Sequence, residues 1–194
     1  MNNRLFDHIN RFCKLSDSDW FLIQEAVSKK VFQKKEHLLT SGHTCHYKYF
    51  IIQGCMRSYF VNSKGAEQIV NFGIEDWWMT DYDSFVNQHI SHLNIQAIED
   101  CTVLRLSKSD FDQLTIQSPT ISTYFRTILE KRHIADQRRI QYMFNLSGEE
   151  MYDTFFKHNP SFTQRVPQYM LASYLGFTPE FLSKIRKKKA EGRS

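Results

Sequence analysis

The segment from Gln168 to Lys187 constrains the fold more than any other part of this 194-residue chain. Leu171 and Ala172 suit the inner face of a short helix, and a small residue at 172 lets a second helix approach closely. Gly176 follows four residues later, where a tight turn requires a positive φ angle. Thr178 is a typical N-cap for the next helix. The spacing therefore predicts two short helices joined by a tight turn.

The second of these helices is predicted to carry a polar and basic outer face. Pro179 suits its first turn, and Leu182 and Ile185 return to the core one turn apart. A major groove about 12 Å wide admits one helix, whose N-terminal residues face base edges. We therefore predict a helix-turn-helix that binds double-stranded DNA through Gln168, Thr178, Pro179, Glu180, Ser183, Lys184, Lys187 and Lys188. The alternative is a helical hairpin for protein contacts with a solvated basic face.

The residue types on this face suggest separate roles. Glu180 can accept a hydrogen bond from cytosine N4, and Lys184 can donate to guanine O6 and N7. Ser183 and the run Lys187–Lys189 are suited to phosphate contacts, which position a protein without reading sequence. We therefore predict that Glu180 and Lys184 read bases.

Charge is concentrated at the same end of the chain. From Pro160 onward there are seven Lys or Arg and two acidic residues, whereas residues 1–159 hold 18 basic and 19 acidic ones. Such a cluster favours a polyanionic partner, because phosphate binding releases counterions. A solvated basic tail is the alternative interpretation of the same run.

The rest of the chain shows two further patterns. Ser16 and Asp19 predict a helix N-cap, with Trp20, Ile23 and Val27 at helical spacing. Short apolar runs from Val31 to Leu106, broken by turns such as 62–65, then predict an antiparallel sandwich or barrel. Ser118 and Pro119 open a predicted helix of about 25 residues.

This helix is followed by one further predicted helix before the C-terminal segment. Ser147 and Glu150 form a capping-box pattern, and Asn159-Pro160 ends that helix. Tyr124, Phe125, Ile128 and Ala135 form a stripe on the long helix that predicts either a dimer seam or packing on its own domain. The fold class is α+β, with a sensor domain at 1–117, a dimerisation helix at 118–145 and a DNA-binding domain at 146–194.

Cysteine usage and the N-terminus indicate where the protein acts. Cys13, Cys45, Cys55 and Cys101 are scattered, so we interpret them as buried small residues, with redox or metal sensing as the alternative. Residues 1–7 lack the apolar run of a secretory signal, and no stretch approaches the about 20 apolar residues of a membrane span. We expect a cytoplasmic protein without a membrane contact, and we predict no cofactor.

The whole chain resembles the CRP/FNR family of transcription regulators. The resemblance is strongest over residues 171–186 and in the segment from Gly42 through 49–57. It implies an N-terminal cyclic-nucleotide-binding-like β-roll of jelly-roll type, a long dimerisation helix and a C-terminal helix-turn-helix. It also implies a homodimer on a pseudo-palindromic operator and contact with RNA polymerase. The family's recognition-helix Glu corresponds to Glu180, and its two basic base readers correspond to Pro179 and Lys184, so a different operator is expected.

The ligand site departs from the family pattern. Cyclic-nucleotide binders of this fold carry a Gly-Glu pair for the ribose and an Arg-Ser/Thr pair for the phosphate. Met79 and Thr80 stand at the first pair, and Ser91 and His92 at the second. Without an Arg, a buried phosphate lacks a bidentate partner, so binding of cAMP is not expected. A shifted alignment that brings Arg57 or His89 into the pocket, or a response to cAMP or another small ligand, is the alternative.

Two other sensor types and one enzyme class are further alternatives for the N-terminal domain. An iron–sulfur cluster would need more N-terminal cysteines than Cys13, and haem binding would use His89, His92 or Cys45. A metal-dependent cupin-like enzyme would use ligands from the roll, namely His37, His43, His46 and Glu67. The H-x-H pair of such enzymes is absent, so no enzyme activity is predicted.

The C-terminus also differs from the family. Members usually follow the recognition helix with a β-hairpin wing, whereas this chain ends eight residues after Arg186. The predicted fold therefore lacks most of the wing. We expect Lys187–Lys189 and Arg193 to replace its phosphate contacts.

Overall fold

A computed structural model of the chain describes residues 3–160 and 162–192, with no side-chain description for residues 162 and 163. Its first elements are helices α1 (Arg4–Asn10) and α2 (Asp17–Ala26). Ser16 caps α2 through a capping box with Asp19, as predicted. The helix ends at Ala26, however, and the prediction that Val27 continues it is wrong. Val27 begins a strand because its backbone pairs with Leu106 and its β-branched side chain suits a sheet.

Within residues 3–160 and 162–192, eight strands form two four-stranded sheets. Their bounds are β1 Val27–Phe32, β2 His37–Leu39, β3 Tyr47–Gln53, β4 Met56–Val61, β5 Glu67–Gly73, β6 Trp78–Met79, β7 Asn94–Ala97 and β8 Cys101–Ser107. The strand orders are β1-β8-β3-β6 and β2-β7-β4-β5. The pairs of β8 with β1 and β3, of β3 with β6, and of β7 with β2 and β4 are antiparallel. The predicted antiparallel sandwich is confirmed.

Strand β3 shows how the sequence fills two cores. Successive side chains of a strand point to opposite faces, so a strand buried on both faces is apolar throughout. Tyr49 and Ile51 pack in the cluster between the two sheets. Phe50 and Ile52 pack on the outer face of the first sheet, against α1, α2 and the helices that follow β8. Both clusters belong to the N-terminal part of the chain.

Three helices complete this part: α3 (Tyr82–Asn87), α4 (Lys108–Gln117) and the 27-residue α5 (Pro119–Asn145). Ser118 Oγ accepts a hydrogen bond of 3.1 Å from the Ile121 amide, which confirms the predicted cap. Tyr124 is 1% exposed, and its hydroxyl accepts a 2.8 Å hydrogen bond from Trp78 Nε1. Phe125 and Ile128 also pack in this cluster. Tyr124, Phe125 and Ile128 therefore pack on their own domain, which is one of the two predicted roles of this stripe.

The C-terminal elements are helices α6 (Gly148–His158), α7 (Phe162–Arg165), α8 (Gln168–Leu175) and α9 (Pro179–Ala190). The capping box of Ser147 and Glu150 and the end of α6 before Asn159 are both confirmed. The chain divides into two compact units, one of Met1–Phe60 with Asn71–Arg132 and one of Val61–Val70 with His133–Ser194. The hairpin tip 61–70 therefore belongs with the C-terminal helices.

Candidate nucleic-acid interface

The turn between α8 and α9 is built around one glycine. Gly176 has a φ of +76°, the left-handed region that most side chains avoid. The amide of Phe177 donates to the Ala172 carbonyl over 2.8 Å, which closes the end of α8. A Cβ on Gly176 would meet nothing closer than the Met143 methyl carbon at 4.0 Å. The backbone angle, rather than crowding, therefore explains the glycine.

Helix α9 begins where the sequence predicted. Thr178 Oγ1 accepts a hydrogen bond of 3.2 Å from the Phe181 amide, and Pro179 occupies the first helical position. Leu182 and Ile185 are 1% and 3% exposed. They lie in the apolar interior of the C-terminal unit, where α8 contributes its buried side chains, Met170, Leu171, Ala172 and Leu175. The predicted pair of helices joined by a tight turn is confirmed.

The outer side of α9 is polar and accessible. Its exposed residues include Thr178, Pro179, Glu180, Ser183, Lys184 and Lys187. Because each residue of a helix advances by about 100°, Glu180, Ser183, Lys184 and Lys187 fall within about 100° of one another. Gln168 is exposed at the first position of α8. These seven of the eight predicted contact residues are thus accessible to a partner.

The eighth residue, Lys188, is also exposed but has an acidic partner. Its Nζ lies 2.8 Å from Glu149 Oε1 on α6, and Lys189 Nζ lies 2.6 Å from Asp153 Oδ2 on the same helix. Lys187, in contrast, is 80% exposed and reaches Glu191 only at 4.0 Å. Sequence reasoning missed the two pairings because Glu149 and Asp153 are distant in sequence. Arg193, predicted to contact phosphate, lies outside the described residues.

The tip of the β4–β5 hairpin packs on α8. The amide of Ile69 donates to Ser173 Oγ over 2.9 Å, and Ser173 Oγ donates to the Glu67 carbonyl over 3.1 Å. Gln68 Nε2 donates to the Ser173 carbonyl over 2.6 Å. No local sequence signal marks these contacts, since a serine within a helix and a glutamine within a strand are ordinary surface residues. The hairpin therefore supports the first helix of the motif.

The residues predicted to line the ligand pocket are engaged by neighbours. Met79 is 5% exposed within the core between the sheets. Thr80 Oγ1 donates to the Tyr47 carbonyl over 3.1 Å. Ser91 Oγ donates to the buried Asp81 carboxylate over 2.6 Å. The fourth residue, His92, is exposed.

Arg57 lies on β4 of the second sheet, where neighbouring side chains hold its guanidinium group. Its Nε and Nη2 donate to Gln96 Oε1 over 2.9 and 2.7 Å. Its guanidinium carbon lies 4.1 Å from the Tyr59 ring centroid. The side chain is 4% exposed, so neighbours on adjacent strands surround it.

An unexpected feature of the roll is the buried Lys48. It is 3% exposed, and its Nζ lies 4.0, 4.4 and 4.8 Å from the ring centroids of Tyr82, Phe85 and Phe111. Burial lowers the pKa of Lys48 to about 7. The three ring faces oppose this effect, because they attract the cationic form. Sequence reasoning missed this aromatic cage, since two of its rings come from α3 and the third from α4, both distant from Lys48 in sequence.

Three of the four cysteines are buried in the core. Cys45, Cys55 and Cys101 are 1%, 0% and 1% exposed, which confirms the prediction of buried small residues for these three. Burial raises the pKa of Cys101 to about 11. Within residues 3–160 and 162–192, no three His, Cys, Asp or Glu side chains form a group suited to a metal ion. The ligands that the cupin-like alternative would need, His37, His43, His46 and Glu67, thus form no such group among these residues.

Comparisons with known proteins agree with this architecture. Residues 29–118 match the family described as the cyclic nucleotide-binding domain. Regulatory protein HlyX of Actinobacillus pleuropneumoniae is 25% identical over 81% of this chain and 69% of its own length. The anaerobic regulatory protein of Haemophilus influenzae is 25% identical over 81% of this chain and 65% of its own length. The chain thus spans about two thirds of these relatives.

A solved structure shows the same fold. FixK2 from Bradyrhizobium japonicum superposes with a TM-score of 0.72 at 17% identity, covering 86% of each chain. The resemblance noted in the sequence is thereby confirmed as a similarity: residues 29–118 match the cyclic nucleotide-binding domain, and the chain as a whole is similar to proteins named as regulatory proteins and shares the fold of FixK2. Among the described helices, none combines the length and the apolar character needed to cross a membrane.

Proposed function

We propose that the protein is a homodimeric transcription regulator that binds a specific sequence of double-stranded DNA. The observation that carries the proposal is the exposed face of α9, where Glu180, Ser183, Lys184 and Lys187 lie together. Leu182 and Ile185 anchor the opposite face in the core. A helix held in this way can enter a major groove without losing its packing.

Two residues of this face are proposed to read bases. Glu180 stands in the first turn of α9 and Lys184 one turn later, so both can approach base edges. Lys187 and Ser183 are proposed to contact phosphates, as is Gln168 at the start of α8. Thr178 and Pro179 set the entry angle of the helix. Lys188 contributes less, because it is already paired with Glu149.

The proposed dimer uses the distal part of α5. Leu129, Ile140, Met143 and Phe144 are 47%, 54%, 49% and 85% exposed. At about 100° per residue they fall within one third of the helix circumference. Such a stripe, unlike scattered apolar residues, favours helix pairing. Two-fold symmetry then predicts half-sites about 34 Å apart in a pseudo-palindromic operator.

We further propose that the sensor domain does not bind cAMP. Ser91, at the position expected to help hold the phosphate, donates to the Asp81 carboxylate. A carboxylate beside this position repels a phosphate, and Arg57 is bound to Gln96 rather than directed to it. On this proposal, residues 29–118 keep the fold of the cyclic nucleotide-binding domain that they match but take a different ligand.

A transcription regulator of this kind needs access to promoter DNA and has no need of a catalytic site. The curated relatives are named as regulatory proteins, and we propose no enzymatic activity for this chain. The regulator would act in the cytoplasm and contact RNA polymerase at its target promoters.

Selection of bound genomic fragments by the purified protein tests the central claim. The wild-type chain is expected to enrich a common pseudo-palindromic motif. Lys184→Ala is expected to relax the preference at one position of each half-site, because one base contact is lost. Lys157→Ala, an exposed lysine on α6, is the matched control and should enrich the wild-type motif. Failure of the wild type to enrich any motif contradicts the proposal, and a motif that requires added cAMP contradicts the assignment of the sensor.

A further inference from the structure

A cavity of about 460 Å³ opens at one edge of the sandwich. Its walls come from β1, β3 and β8 of the first sheet, from β2 of the second sheet and from the loop between β2 and β3. Strands β1 and β2 are the edge strands of their sheets, and β6 and β5 form the opposite edges. Met79, Thr80 and Ser91, around which the family resemblance predicts a pocket, do not line this cavity. Its size is typical of sites for small organic molecules.

The floor of this cavity is apolar and aromatic. Phe32, Leu39 and Tyr49 line it and are 7%, 6% and 5% exposed. The Tyr49 hydroxyl donates to the Leu38 carbonyl over 3.0 Å, which fixes the ring. The rings of Phe32 and Tyr49 meet edge to face with centroids 6.2 Å apart. A rigid floor of this kind suits a flat or apolar body.

Two basic side chains, Arg105 and Lys30, also line the cavity. Arg105 lies on the same face of β8 as Val103 and Cys101, which pack between the sheets, so its side chain is directed inward. Its Nε donates to Ser28 Oγ over 2.9 Å, and its guanidinium carbon lies 5.0 Å from the Tyr47 ring centroid. Lys30, also in the lining, projects from the same face of β1 as Phe32. Both cations thus converge on one cavity.

The cavity has little negative charge to balance them. Among its described lining residues, Glu36 is the one carboxylate, and its Oε2 accepts a hydrogen bond of 2.8 Å from the Gln33 amide. Three histidines, His37, His43 and His46, add further nitrogen atoms to the rim. A half-buried guanidinium without an acidic partner keeps donors available for a bidentate contact to a carboxylate or phosphate.

We propose that this cavity binds a small organic anion. The carboxylate or phosphate of the ligand is held by Arg105 and Lys30, and its apolar or aromatic body packs on Phe32, Leu39 and Tyr49. The proposal does not depend on DNA binding, since every lining residue belongs to the N-terminal unit. It gives the sensor domain a ligand class different from a cyclic nucleotide.

Titration calorimetry of the 194-residue chain with four probes tests this assignment. The probes are phenyl phosphate, benzoate, inorganic phosphate and benzyl alcohol. Phenyl phosphate and benzoate are expected to bind, because they combine a charge with a flat body. Inorganic phosphate lacks the body and benzyl alcohol lacks the charge, so both should bind at least about tenfold more weakly. Equal affinity for all four, or no binding of either aromatic anion at millimolar concentration, overturns the proposal.

Variants locate the site within the chain. Lys30→Gln changes an exposed edge-strand residue and should weaken phenyl phosphate binding without unfolding the protein. Arg105→Gln should weaken it by about tenfold or more, while Arg105→Lys retains part of the affinity. Arg126→Gln, an exposed residue paired with Glu130 on α5, is the matched control and should bind normally. If Lys30→Gln and Arg105→Lys both bind as the wild type does, the anion lies elsewhere and the assignment fails.

Discussion

The guanidinium carbon of Arg139 lies 3.8 Å from the centroid of the Tyr174 ring, and its Nη2 donates to the Tyr174 carbonyl over 2.7 Å. Its Nη1 donates to the Val70 carbonyl, also over 2.7 Å. One side chain on α5 therefore holds both the end of α8 and the hairpin strand. A planar guanidinium can make these two bonds and the ring contact together, whereas an ammonium cannot.

Replacing this side chain should loosen α8. We expect Arg139→Lys to lower the free energy of opening of α8 by about 1–3 kcal/mol, because the two carbonyls lose a charged donor. Hydrogen exchange of the α8 amides measures the effect. Arg138→Lys, at the exposed neighbouring position, should change protection by no more than about 0.5 kcal/mol. Equal protection in the two variants would show that the contact does not hold α8.

Two exposed isoleucines of α5 distinguish the proposed dimer face from the other sides of the helix. Ile140 and Ile134 are 54% and 46% exposed, but helical geometry directs them to different sides. Ile140→Asp should weaken dimerisation by about thirtyfold or more, because it places a charge in the apolar seam. Ile134→Asp should leave it unchanged. Sedimentation equilibrium gives both constants, and equal effects of the two variants argue against this face.

The two neighbouring lysines of α9 should differ in their contribution to DNA binding. Each phosphate contact adds about 0.9 to the slope of log affinity against log salt. Lys187→Ala should reduce the slope by about this amount, since Lys187 is 80% exposed. Lys188→Ala should reduce it less, because its ion pair with Glu149 must first open. Fluorescence anisotropy at several salt concentrations measures the slopes, and an equal decrease would mean that the pair opens on DNA.

Stability should respond to pH through Lys48. Its pKa is about 7 in the folded protein and 10.5 in the unfolded chain, so the unfolded chain binds more protons between these values. Stability contributed by this group therefore rises with pH across that window, by at most about 1.4 kcal/mol per pH unit. In Lys48→Met this slope should be absent. The exposed Lys34→Met is the control and should keep it.

Urea denaturation at pH 7 and pH 9 measures the free energy of unfolding of the wild type and of both variants. At pH 7 we also expect Lys48→Met to be at least as stable as the wild type, because an apolar side chain of similar length avoids the burial of a charge. A variant that keeps the wild-type slope would show that the cation–π contacts hold the lysine protonated in the fold.

Local signals predicted the C-terminal elements well. The N-cap at Thr178, the positive φ of Gly176 and the capping box of Ser147 each depend on residues within one turn of one another. Their chemistry is visible in the sequence for that reason. The short apolar runs between Val31 and Leu106 likewise predicted the core strands.

Features that depend on distant partners were not predictable. Nothing near Lys188 indicates that Glu149 neutralises it, and nothing near Arg139 indicates Tyr174 as its partner. The short strand β6 has only two residues, too few for a periodicity to appear. The helical spacing of Val27 was misleading because pairing with β8 outweighs local preference.

The grouping of hairpin 61–70 with the C-terminal helices limits how chimeras of such regulators can be made. Ser173 bonds to Glu67 and Ile69, and Arg139 bonds to Val70. A graft of residues 133–194 onto a related sensor domain would leave these partners behind. A chimera intended to exchange DNA specificity should therefore transfer residues 61–70 together with residues 133–194.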